Sequence, residues 1–194
     1  MKKFLTLRWL LLCVGATLAL IAFFVALGGT MEGTESLYGL VSFPVSYSGA
    51  LFGITYTANF YGMTYTAKLG ISVFPFLGWL LLLFGLVGVV VCAFVIKDEK
   101  LRKILIICGS AAVVVGAICL FFIKPSVENA ALSAFKKAAG EYEAYVTKDL
   151  IKDEMNRINA RFPGIITAGV FGLLGGLAMC ATQFIPEVKF VKEK

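Results

Sequence analysis

Apolar residues in this chain gather into four long runs, at 9–27, 71–96, 104–123 and 164–185, and none of them contains Asp, Glu, Lys, Arg or His. At 1.5 Å per helical residue, roughly 20 such residues cross a hydrocarbon core of about 30 Å. The pattern predicts four membrane-spanning helices, the second taken from residue 73. Between them lie two longer segments, 28–70 and 124–163, a short link at 97–103 and a tail at 186–194. Neither longer segment is large enough to bury much core alone. The expected class is therefore membrane all-α. It is a single polytopic domain, a four-helix transmembrane bundle with a small extracytoplasmic β-hairpin or sheet in its first outer loop and helices in its second.

Periodicity changes inside the first outer segment. Residues 53–60, GITYTANF, recur nine residues later at 62–69 as GMTYTAKL. Both copies alternate Thr with Tyr or Ala behind a glycine, which favours strands and predicts a hairpin turning near Tyr61-Gly62. Period two puts Tyr56, Ala58 and Phe60 on one face and Thr55, Thr57 and Asn59 on the other. Residues 40–47 form an expected third strand, placed at a sheet edge by Pro44. Tyr47, Tyr56, Tyr61 and Tyr65 are candidate partner contacts, because tyrosine is favoured at protein interfaces.

The second outer segment is helical in pattern. Ala131, Phe135, Ala138 and Tyr142 share one face, and Leu150, Ile151, Met155, Ile158 and Phe162 follow at near-helical spacing, with a break near Gly140. Prolines mark boundaries: Pro75 follows a Ser72 cap at the second span, Pro163 opens the fourth, and Pro125 and Pro186 lie past the ends of the third and fourth.

Charge then adds orientation. Lys2, Lys3, Arg8, Lys97, Lys100, Arg102, Lys103, Lys189, Lys192 and Lys194 fall in the termini and the short link, which carry the whole net charge of +6. The two outer segments sum to zero. This bias places both termini and the link in the cytoplasm, with the chain in the plasma membrane. The basic balance is thus a topology signal that needs no nucleic-acid partner, although anionic lipid attracts such segments. A mean hydropathy of +0.89 fits the same class. Span one, at about 18 apolar residues, is long for a signal peptide and is expected to stay as a helix.

Candidate chemistry is sparse. With no histidine anywhere, Ser-His-Asp and Cys-His catalysis and histidine metal sites are excluded. Charge-free spans offer no intramembrane proton relay. All five cysteines lie in the spans, so the outer loops are not disulfide-stapled. Cys13, Cys92, Cys108 and Cys180 sit at similar depth and behave by default as small apolar residues; acylation or a four-thiolate site are the alternatives. No cofactor, metal site or catalytic residue is expected.

Small residues point instead to association. Gly169, Gly172 and Gly176 line one face of span four, where helices approach closely either within the bundle or between copies. The order of elements resembles that of claudins and the peripheral-myelin-protein group. Their Trp-Gly-Leu-Trp and paired-cysteine signature is absent, however, so no function is carried across. The expectation is a non-enzymatic assembly or interaction subunit, partnered by lipid and by a membrane protein or copies of itself. An oligomeric channel or transport-complex component is the alternative.

Overall fold

The computed structural model describes residues 7–28, 31–37, 41–48, 51–60, 62–140, 146–157 and 163–185. Its elements run α1 (Leu7–Leu27), β1 (Met31–Leu37), β2 (Val41–Ser48), β3 (Ile54–Phe60), β4 (Met63–Gly70), α2 (Val73–Val95), α3 (Glu99–Leu120), α4 (Ile123–Ala139), α5 (Lys148–Arg157) and α6 (Pro163–Ala181). Four of the helices, α1, α2, α3 and α6, are long and apolar enough to cross a membrane. The chain is a multi-pass membrane protein by that measure. It divides into two compact units, one of Met1–Val25, Leu77–Cys119 and Thr167–Lys194, the other of Ala26–Phe76 and Leu120–Ile166.

The first unit carries large apolar side chains on its outside as well as in its core. Ala19, Ala22, Ala117 and Ala168 are fully buried, while Phe24, Phe84, Phe94 and Leu177 are more than half exposed. Apolar exposure on that scale is untenable in water and normal in lipid. Small residues face one another because only they bring backbones close enough for dispersion to hold helices together.

Helix ends depart from the hydropathy boundaries. Helix α3 begins at Glu99, five residues before the apolar run, because the Asp98 carboxylate accepts the Lys100 N–H at 2.9 Å and the Leu101 N–H at 3.3 Å. A capped polar turn is invisible to a hydrophobicity count. At its other end α3 stops at Leu120, and α4 starts after a turn at 121–122. Pro125 therefore lies in the first turn of α4, where its missing N–H is harmless, and not merely past the third span as expected.

In the second unit β1 to β4 form an antiparallel meander in sequence order. Strand β4 pairs with β3 across a two-residue turn, Phe60 opposite Met63, where Gly62 adopts φ +81°. The repeat is thus a hairpin, as its sequence predicts. Strand β1, with its Glu, Gly and Thr, has no apolar alternation to announce it; pairing with β2 specifies it. That addition corrects the placement of β2, which is interior and not an edge. Pro44 is tolerated because the β2/β3 ladder starts only at Val45, leaving the proline unpaired on that side.

Ser72 precedes α2, and its carbonyl accepts the Phe76 N–H at 3.0 Å. Its hydroxyl, fully buried, has no partner among the described residues, so the expected side-chain cap is not formed. An unmade hydrogen bond costs more than no polar group at all. Ser72→Ala should therefore stabilise the chain by about 1 kcal/mol, read as a raised melting temperature in detergent. A lowered one would show that the hydroxyl is bonded.

Helix α4 buries Ile123, Val127 and Ala131, with Ser126 and Glu128 beside them, whereas Phe135 on the expected face is exposed. Glu128 is the one charged residue buried among the described residues. Gly140, at φ +55°, ends α4 near the expected break. Lys124 Nζ on α4 donates to Asn156 Oδ1 on α5 at 2.9 Å. Ile151 on α5 is buried, while Leu150 is exposed; Tyr142, Ile158 and Phe162 lie outside the described residues.

Candidate interaction surfaces

Glycine contacts define the helix faces of the first unit. A Cβ at Gly172 would stand 2.9 Å from the Ala117 Cβ and 3.1 Å from Leu82 Cδ2, and one at Gly176 would stand 2.6 Å from Val114 Cγ2. Both glycines thus lie against α3 within the chain, and Gly169 is buried as well. On the neighbouring stripe of α6, a Cβ at Gly175 would meet the Gly15 carbonyl oxygen of α1 at 2.7 Å. Helices α2 and α3 cross the same way: Gly85 faces the Gly109 carbonyl, and Gly116 faces that of Gly78.

Sequence reasoning put its weight on α6, the richest in glycine; it noted Gly78, Gly85 and Gly88 on α2 and Gly109 and Gly116 on α3 without pairing them, and it left out Gly15. The signal was present. Gly15, Ala19 and Ala22 repeat as a small-residue face on α1, and Gly78–Gly85 and Gly109–Gly116 share a seven-residue spacing. Lipid-facing surface on α6 falls instead on Val170, Leu174 and Leu177, all exposed.

One end of this unit is tied by polar contacts. Arg8 Nε donates to the Thr182 carbonyl at 2.8 Å, beyond the last turn of α6, where a cation meets unsatisfied helix carbonyls. Lys103 Nζ lies 5.6 Å from the Phe184 ring centre, and Trp9 sits 5.5 Å from the Phe94 ring. Near the opposite end of α1, Trp79 stacks on Phe23 at 4.8 Å and its Nε1 donates to the Phe23 carbonyl at 3.3 Å.

The cysteines do not converge. Cys13 and Cys108 are exposed, Cys92 and Cys180 half-buried, and no group of three metal-ligating residues forms among the described residues. On α5, Asp149 and Asp153 are exposed.

The tyrosines of the second unit are partly brought together. Tyr47 on β2 stands opposite Tyr56 on β3, and Tyr65 on β4 stands opposite Ala58. Tyr56 is half-buried and already engaged within the chain. Tyr61 lies outside the described residues. Ile54, Ala58 and Leu69 are the buried residues of the hairpin among the described side chains, and Leu51 is buried in the turn before it. Its hydroxyl side aligns Ser46, Thr57 and Thr66 across β2, β3 and β4, with Ser48, Thr55 and Lys68 as the next row. Such rows are the product of period-two alternation repeated in register. No protein-family model matches the chain, and no curated relative matches it.

Proposed function

We propose that the protein is a non-enzymatic assembly subunit of the plasma membrane. In this reading the four spans form one transmembrane bundle with both termini cytoplasmic. The sheet and the helices α4 and α5 stand outside the membrane and engage a membrane-protein partner or further copies of the chain. The supporting observation is the division of labour between the two units. The first spends its small residues on close helix contacts and exposes mainly large apolar side chains along its spans, as an anchor does. The second carries the sheet, with an open strand edge and exposed hydroxyls. Sheet edges and aromatic-bearing sheets are surfaces that partners use.

Native mass in mild detergent, together with pull-down from the source membrane, tests this. The expected result is a mass above one chain or a stoichiometric companion; a solitary monomer in both would count against it. The alternative of an oligomeric channel or transport component rests on the same spans, whose lack of polar lining requires a pore to form between copies. Ion flux in liposomes separates the two, and flux above that of empty vesicles favours the channel.

A further inference from the structure

We infer that two copies of the chain pair through β4, edge to edge and antiparallel, about a two-fold axis at Thr66. The inference deepens the assembly reading and rests on it. Strand β4 is an outermost strand of the sheet, and Met63, Thr64, Thr66, Ala67 and Lys68 along it are exposed. Helix α4 approaches β4, but among the described side chains of this strand the buried one is Leu69, beyond the exposed stretch.

What identifies the occupant is the tandem repeat. Within the chain, β4 pairs with β3 as Lys68 with Thr55, Ala67 with Tyr56, Thr66 with Thr57, Tyr65 with Ala58 and Thr64 with Asn59. Because β3 and β4 carry the same Thr-Tyr-Thr-Ala sequence, a second β4 offers the open edge what β3 offers the closed one. Centred on Thr66, the new ladder reads Lys68 with Thr64, Ala67 with Tyr65, and Thr66 with Thr66, and then the same pairs reversed. Of these five central pairings, from the seven of the β3/β4 ladder, four recur in type, and the Asn59 pairing changes to a lysine. The alternation stays in phase, so the threonine rows continue across the junction. A shift by one residue in either direction along the strand loses the Thr–Thr and Tyr–Ala matches.

Charge agrees with this register. Lysine on an edge strand ordinarily guards against pairing. Here each Lys68 stands opposite a threonine, and the two lysines are about 14 Å apart along the strands, beyond the screening length at physiological salt. The other edge, β1, has no repeated copy and carries Glu32 and Glu35.

The test uses the full chain in vesicles, with its native cysteines replaced and single cysteines introduced on β4. Directly opposed positions lie within disulfide reach. T66C should give a covalent dimer on mild oxidation, and T64C mixed with K68C should cross-link while T64C alone does not. S36C, on the opposite edge, serves as the control. Thr66→Lys sets like charges opposite each other and should lower the dimer fraction about fivefold or more. Mixing T66K with T66E chains should restore it, which also shows that both variants fold. No adduct at T66C above S36C, or a dimer indifferent to T66K, overturns the inference. If the chain then still assembles, the edge pairing alone has failed; if it is a monomer without companions, the assembly reading fails with it.

Discussion

Gly116→Ala is expected to lower the melting temperature of the chain in detergent by roughly 2–12 °C, from about 1–3 kcal/mol of overpacking. The new methyl would lie 2.6 Å from the Gly78 carbonyl oxygen and 3.0 Å from the Leu81 Cβ. Both obstacles are backbone or backbone-adjacent, so no side-chain rotation relieves them; α2 and α3 must separate. In lipid that separation is expensive, because association depends on close contact and receives no hydrophobic drive. Gly85→Ala should behave alike, since its Cβ would meet the Gly109 carbonyl oxygen at 2.7 Å. Gly88 is the internal control. It lies on the same helix with nothing within 4 Å of a built Cβ, so Gly88→Ala should gain about 0.5–1 kcal/mol from helix propensity. Equal effects at Gly116 and Gly88 would contradict the described α2/α3 contact.

Leu82→Ala is expected to destabilise by about 2–3 kcal/mol, the lower part of the range for buried leucines. Leu82 is fully buried and reaches Gly172 on α6. In a soluble core the loss combines transfer from water with the cavity left behind. Here the unpacked helix faces lipid, which is as apolar as leucine, so the transfer part largely cancels and lost dispersion remains. Leu177, on the lipid-facing side of α6 and more than half exposed, supplies the comparison. Leu177→Ala should stay within about 0.5 kcal/mol. Unfolding in mixed detergent followed by circular dichroism distinguishes the two, and a Leu82→Ala variant as stable as Leu177→Ala would place α6 elsewhere. Leu82→Met, which conserves volume, should recover most of the loss.

These outcomes depend on a division that runs through the whole chain. Sequence alone determined the spans, because a bilayer of fixed thickness demands a fixed length of uncharged helix and nothing tertiary alters that demand. It also determined the β3/β4 hairpin, since period-two alternation and a glycine at the turn are local properties. The break at Gly140 belongs to the same kind.

Where a property depends on what stands opposite, the sequence was silent or misleading. Strand β1 has no pattern of its own and exists because β2 pairs with it, which in turn moved Pro44 from an edge into the sheet. Ser72 has the sequence of a cap and the burial of an orphan, because which donor its hydroxyl meets is settled by the packing around it. Gly172 and Gly176 are equally suited to meeting another copy or α3; the tertiary structure sets them against α3. Spacing shows that a face is small, and only the fold shows which backbone has come close enough to need it.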